Sequence, residues 1–93
     1  MPLAPSPSRT TPAQAARAVR ELRLAVIEAI AARLERYSFT QGELAAMLGI
    51  TRPRLNRLFK REVGLFGLDS LAAIAAHAGL VVRIAITRPY RHR

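Results

Sequence analysis

Residues 40–60 constrain the fold more than any other part of this chain, because signals that end one helix and start another lie a few positions apart. Thr40–Leu48 predicts a short amphipathic helix whose apolar side chains recur at helical spacing, at Leu44, Met47 and Leu48. Gly49 follows, where a helix commonly ends on a residue in the left-handed conformation. Thr51 then takes a favourable N-cap position, and Pro53 lies in the next first turn, where its missing N–H breaks no hydrogen bond.

The second helix continues to about Lys60, and its two sides differ in chemistry. The inward positions are apolar: Leu55, Leu58 and Phe59. The outward positions carry side chains that bind phosphates and base edges: Arg52, Arg54, Asn56, Arg57 and Lys60. The turn is too short for antiparallel helices, so the two must cross steeply, with the small Ala45 and Ala46 at the crossing. This pattern predicts a helix-turn-helix, whose second helix enters the major groove of duplex DNA.

The outward side chains are expected to divide their work on DNA. We expect Arg52 and Arg54 to lie nearest the base edges, and Asn56 can reach adenine. Arg57 and Lys60 mainly position the helix on phosphates, and Thr51 lies at the same interface. The alternative is an ordinary helical hairpin with a solvated basic face.

The composition favours an anionic partner. The chain has 93 residues, which fits one small domain, and a net charge of +9. Such a charge fits nucleic acid, an acidic protein or a membrane surface. There is no cysteine and no apolar stretch near the ~18 residues of a membrane span, which fits a cytoplasmic protein. A basic amphipathic peptide that binds membranes stays open, and salt-sensitive duplex binding without liposome binding would exclude it.

The rest of the chain divides simply. Residues 1–12 predict a disordered arm. The first twenty residues, which lack acids and contain Arg9, Arg17 and Arg20, also loosely resemble a transit peptide. Residues 13–93 predict one DNA-binding domain that ends in a basic tail. Its first helix is expected from about Ala13 to Tyr37, with an apolar stripe at Val19, Leu22, Val26, Ile27, Ile30, Leu34 and Tyr37. A fourth helix fits Leu68–Ala78, before Gly79.

After Gly79 the apolar residues recur at every second position instead of at helical spacing, which predicts a β-strand over residues 80–87. Its apolar side chains lie on one face: Leu80, Val82, Ile84 and Ile86. One strand in a helical chain leaves backbone groups unpaired, and the natural partner is the same strand of a second copy. We therefore predict a homodimer closed by this strand. Pairing with a toxin-like partner or with the N-terminal arm is the alternative.

Enzymatic and metal chemistry find little support. His77 has no further ligand at metal-binding spacing, and His92 lies in a basic tail that repels cations. Glu43 and Glu62 are better interpreted as ion-pair partners of nearby arginines than as an acid–base pair. We predict no catalytic residue, no metal and no cofactor.

From Leu22 to Ile86 the chain resembles the HigA-type antitoxin branch of the XRE family of helix-turn-helix regulators. The resemblance is carried by Phe39-Thr40-Gln41, by residues 44–51, by Pro53-Arg54-Leu55, by Leu65-Phe66-Gly67-Leu68-Asp69-Ser70-Leu71 and by Gly79-Leu80-Val81-Val82. It implies a lambda-repressor-like domain of four to five helices with one C-terminal strand. It also implies that Gln41 anchors a backbone phosphate and that Arg52 reads a base. The family often has a polar residue at Gly67, Gln at Arg52 and Ser at Asn56.

The resemblance further implies a repressor that neutralises a RelE/HigB-type toxin and represses its own operon at an inverted-repeat operator. Glu21 and Glu28 on the first helix are the expected toxin contacts, together with Glu35, because RNA-cleaving toxins tend to be basic. An apolar contact through Val19 and Leu22 is the alternative. A stand-alone, phage-like regulator without a toxin is the alternative, and a toxin gene in the adjacent reading frame would distinguish the two.

Overall fold

Four α-helices and one 3₁₀ turn form the part of the chain that the computed structural model describes, residues 9–88. The helices are α1 (Pro12–Leu34), α2 (Gln41–Leu48), α3 (Arg52–Phe59) and α4 (Leu68–His77), with the 3₁₀ turn Val63–Leu65 between α3 and α4. The prediction of a mainly helical chain is confirmed. Most of the predicted arm, and the tail beyond residue 88, lie outside the described residues, while Pro12 already belongs to α1.

The first two helices, α1 and α2, both begin with a capping box. The Thr11 hydroxyl accepts a hydrogen bond from the Gln14 N–H at 3.1 Å, and the Thr40 hydroxyl accepts one from the Glu43 N–H at 3.2 Å. Gln14 and Glu43 in turn accept the backbone N–H of their own cap residue, each at 2.8 Å. These capping boxes satisfy N–H groups that have no partner inside the helix. Glu43 is thus engaged at the start of α2. The ion pairs predicted for Glu43 and Glu62 were wrong, because the single ion pair among the described residues joins Arg61 to Glu28.

The ends of α2, α3 and α4 share one geometry. Gly49 has φ +70° and Gly79 has φ +83°, as expected for residues that end helices in the left-handed region. Arg61 takes the same role after α3 with φ +60°, although a side chain makes this conformation unfavourable. In each case the next N–H donates to the carbonyl five residues earlier, at 2.8–3.1 Å: Ile50 to Ala45, Glu62 to Arg57 and Leu80 to Ala75.

The core lies between the C-terminal half of α1 and the other three helices. Its largest fully buried side chains are Ile27, Ile30, Leu34, Leu48, Leu55, Leu58, Phe66 and Leu71. The predicted stripe on α1 is buried only from Val26 onward, because Val19 and Leu22 remain 48% and 40% exposed. Ala45 is buried at the α2–α3 crossing as predicted, whereas Ala46 is exposed. The first half of α1 therefore extends past the domain core.

Arg33 near the end of α1 and Tyr37, three residues beyond that helix, hold the end of α4. The Arg33 Nε–H donates to the Ala78 carbonyl at 3.1 Å, and the Tyr37 hydroxyl lies 3.5 Å from the same oxygen. Arg33 is half-buried, and its cation interacts favourably with the C-terminal end of α4. These contacts fix the point from which the C-terminal segment, residues 80–88, leaves the core.

Candidate nucleic-acid interface

The turn between α2 and α3 is built from short-range contacts. Gly49 ends α2, and Thr51 caps α3 by accepting the Arg54 N–H at 3.2 Å. Leu55 and Leu58 then anchor α3, since both are fully buried in the core. The second helix is consequently held by its inner face, and its opposite face is left to solvent.

Five neighbouring residues make up this exposed face, which we call the α3 face. They are Arg52, Pro53, Asn56, Arg57 and Lys60, and all are exposed. At 3.6 residues per turn they fall within a sector of about 140°. The face carries three cations and one amide but no carboxylate. Such a surface can donate hydrogen bonds to phosphates and to the base edges of a groove.

Arg52 lies beside the start of α2. A Cβ placed on Gly42 would lie 4.0 Å from the Arg52 Cδ, so the stem of this arginine crosses the first turn of α2. Gln41, the first residue of that helix, is exposed next to it. The structure therefore places the Arg52 stem against the first turn of α2, the turn that Gln41 begins. One surface then joins the N-terminal ends of both helices.

Arg54 is placed differently from the other predicted DNA contacts. Its side chain is half-buried, and its guanidinium carbon lies 4.4 Å from the centroid of the buried Phe66 ring. One guanidinium nitrogen also donates to the Leu65 carbonyl at 3.4 Å. Arg54 lies one helical turn before the buried Leu58, at the edge of the inner face. Its stacking connects α3 to the segment that precedes α4.

The C-terminal end of α3 is tied to α1. The Arg61 Nε–H donates to the Glu28 carboxylate at 2.5 Å, and another guanidinium nitrogen of Arg61 donates to the Phe59 carbonyl at 2.6 Å. Among the described residues this is the single ion pair. Of the two predicted toxin contacts, Glu28 is engaged in this pair, whereas Glu21 is exposed on the extended part of α1.

Two residues at or beside this site were not predicted from the sequence. Pro53 was predicted only as part of the first turn of α3, yet it lies exposed between the polar side chains of the α3 face. The helical period alone would have predicted this position. Arg61 has a left-handed backbone conformation that nothing in its local sequence indicates, because Gly or Asn usually fills that position.

The predicted dimerisation segment is only partly packed. Leu80 and Val82 contact the core, whereas Ile84 and Ile86 are 54% and 95% exposed. Residues 80–88 form no strand within the described chain, so the pairing of this segment stays a prediction. An open groove of about 280 Å³ lies between the segment and α1.

Other kinds of site are not found in the described residues. No three His, Cys, Asp or Glu side chains come together there as metal ligands, and His77 lies exposed near Gly49. No helix within residues 9–88 is long and apolar enough to cross a membrane.

Comparison with known proteins identifies one family. A family model described as "Helix-turn-helix domain" matches residues 11–87 of the chain. Searches of curated proteins and of solved structures gave no match. The matched range includes all four helices and almost the whole C-terminal segment.

Proposed function

We propose that this chain, which belongs to the helix-turn-helix domain family, is a sequence-specific transcriptional repressor that binds an inverted-repeat operator as a homodimer. The family itself indicates a DNA-binding regulator, a non-enzymatic role. The observation that carries the finer proposal is the α3 face, because its cations and amide stand on a helix anchored by two fully buried leucines. A rigid helix with such a face has the chemistry that major-groove reading requires.

On this proposal α3 lies in the major groove with its N-terminal end toward the bases. Arg52 donates two hydrogen bonds to a guanine, and Asn56, one turn further on, contacts an adenine. Arg57 and Lys60 bind phosphates beside the groove, and Gln41 binds another from the start of α2. Thr51 uses its oxygen to cap α3, which leaves its hydroxyl hydrogen free to donate to a phosphate.

Arg54 takes a supporting role in this scheme. Its stacking on Phe66 and its hydrogen bond to Leu65 favour a side chain that holds α3 at a fixed angle to α4. A cation over an aromatic face contributes about 0.5–1 kcal/mol at partly exposed sites. We therefore assign base reading to Arg52 and Asn56, and we assign to Arg54 the positioning of their helix at the DNA interface.

Arg52 and Lys60 provide a matched test of base and phosphate contacts, since each variant removes one positive charge. Arg52→Ala should weaken binding to the selected operator by ~1–3 kcal/mol and relax the preference at one base pair. Lys60→Ala should weaken binding to operator and scrambled duplex by about the same factor. Fluorescence anisotropy with single-base operator variants measures both. An unchanged base preference in Arg52→Ala would contradict the base-reading role.

The homodimer is supported by the exposed end of the C-terminal segment. Exposed Ile84 and Ile86 follow Leu80 and Val82, which pack on the core, so the apolar side of the segment continues beyond its own domain. A second copy can cover these isoleucines and pair the free backbone groups at the same time. Two recognition helices would then face successive major grooves, about 34–36 Å apart or a multiple of that distance.

The resemblance to HigA-type proteins leads us to propose an antitoxin that represses its own operon together with a RelE/HigB-type toxin. Its physical support is the extended first half of α1, where Val19 is partly exposed and Glu21 is exposed. Glu28 can contact a toxin only in competition with Arg61. Co-purification of the adjacent gene product with wild-type and Glu21→Arg chains tests this proposal. The absence of a binding partner there would favour a stand-alone regulator.

A further inference from the structure

The end of the C-terminal segment carries apolar side chains that its own domain does not cover. Exposure alternates at its start, where Leu80 and Val82 are half-buried while Val81 and Arg83 are exposed. This alternation is that of an extended chain, in which every second residue lies on the same side. Ile84 and Ile86 continue the inward side, and yet both are exposed. The apolar side of the segment is therefore longer than the core beneath it.

The groove beside this segment is also lined mainly by apolar residues. One wall is the side of α1 that carries Leu22, Ala25 and Ala29, and the other wall is formed by residues 80–83. Leu22 is 40% exposed at the edge of the groove. A second strand that paired with the segment on the side facing α1 would lie about 4.8 Å from the segment. It would therefore cover the residues that line the groove.

We propose that the groove receives Ile86 of a second copy, with the two C-terminal segments paired antiparallel in a register centred on Ile84. The inference rests on the homodimer proposed above and adds its register and its apolar contact. Ile84 then lies opposite the partner subunit's Ile84, and Val82 lies opposite the partner subunit's Ile86. Directly opposite side chains have Cβ atoms about 4.5–5.5 Å apart and point to the same side of the ribbon. The partner's Ile86 is thereby directed into the groove beside Leu22.

Charge and the alternation of side chains select this register over its neighbours. Centring the pair on Arg83 would place two arginines directly opposite each other, which is destabilising. Centring it on Ala85 would place Val82 opposite an arginine, Arg88 of the partner subunit, rather than an isoleucine. A register between two residues would turn the apolar sides of the two strands to opposite faces of the ribbon, so that neither strand covers the other's groove. Centring on Ile84 places Arg83 opposite alanine and isoleucine opposite isoleucine.

The chain has no cysteine, so single cysteine variants can measure the register directly. The variants are Arg83→Cys, Ile84→Cys and Ala85→Cys, each oxidised under mild conditions and separated on non-reducing gels. Residues opposite their own copy satisfy the short Cα separation of a disulfide, whereas a shift of two positions along the partner strand exceeds about 7 Å. Ile84→Cys should therefore cross-link at least about tenfold faster than the two neighbouring variants.

The outcomes separate the register from the dimer itself. Fastest cross-linking of Arg83→Cys or Ala85→Cys would overturn the register. Slow cross-linking of all three variants, with wild-type dimers confirmed by light scattering, would show that the dimer uses another surface. Wild-type monomers at micromolar concentration would contradict the homodimer, while specific DNA binding by those monomers would leave the regulator proposal standing.

The groove has its own test in two substitutions on α1. Leu22→Asp places a charge at the groove, and Ala16→Asp places the same charge on exposed α1 surface away from it. Because both positions are exposed in the single chain, neither variant should unfold the domain. Leu22→Asp should raise the dimer dissociation constant about tenfold or more, and Ala16→Asp should leave it nearly unchanged. Equal dissociation constants for the two variants would overturn the docking of Ile86 in this groove.

Discussion

Replacing Phe66 by alanine is expected to remove most of the stability of the domain. Phe66 is only 1% exposed, and the change leaves a cavity in the core and removes the ring on which Arg54 stacks. Truncation of a buried phenylalanine typically costs ~3–5 kcal/mol. A domain of this size has a free energy of unfolding at the lower end of the usual ~5–15 kcal/mol. Urea unfolding followed by circular dichroism measures the loss.

The neighbouring residue provides the control for this prediction. Leu65 is 45% exposed, and its contact with Arg54 uses the backbone carbonyl, which a side-chain truncation keeps. Leu65→Ala should therefore change the free energy of unfolding by no more than about 0.5 kcal/mol. If the two truncations cost the same, the burial of Phe66 in the core would not be a major source of the stability of the domain.

Ile84→Asp is expected to convert the protein into folded monomers that bind the operator about 100-fold more weakly, or worse. The side chain is exposed in the single chain, so the charge should not disturb the domain core. In the proposed dimer two aspartates would face each other at the centre of the strand pair, where like charges repel. A monomer contacts only one half-site of the operator, and binding two linked sites at once commonly raises the affinity by a factor of 10²–10⁴. Sedimentation and duplex titration measure the two effects.

Ala85→Asp is the matched control, because it introduces the same charge at the adjacent position. Ala85 lies on the other side of the strand, and in the proposed register it faces Arg83 of the partner subunit. We expect this variant to remain dimeric and to bind the operator nearly as wild type does. If both variants dissociated equally, the effect of Ile84→Asp could not be ascribed to the apolar side of the strand.

Local chemistry predicted the turn, while long-range packing decided the side chains around it. The cap at Thr51 and the left-handed Gly49 follow from residues next to each other in the chain, and both predictions were confirmed. The capping box at Thr40 was also visible in the sequence, as a threonine followed three positions later by Glu43. The predicted arginine pair overlooked that signal.

The environments of Arg54 and Val19 could not be predicted in the same way. Arg54 is half-buried because Phe66, twelve positions later, packs beneath its guanidinium, and periodicity alone does not reveal such a contact. Val19 continues the apolar stripe of α1, yet the described domain has no element that covers it. A periodic pattern shows which residues share a face but does not show how far the opposing surface extends.

The structure of the C-terminal segment, residues 80–88, cannot be predicted from one chain alone. Its alternating pattern predicted a strand at residues 80–87, and the described chain leaves those residues without strand pairing. Strand hydrogen bonds require a partner, so the predicted strand and dimer depend on a second copy that one chain cannot supply.

Selection of binding sites from a random duplex pool by the wild-type protein tests the central claim most directly. The proposed function predicts enrichment of an inverted repeat, with at least about 10³-fold tighter binding than a scrambled duplex at physiological salt. The affinity for both duplexes should fall steeply as salt increases, because Arg57, Lys60 and their neighbours displace counterions from phosphates. A folded wild-type protein that enriched no sequence, and bound operator-like and scrambled duplexes equally, would contradict the claim that this chain reads DNA sequence.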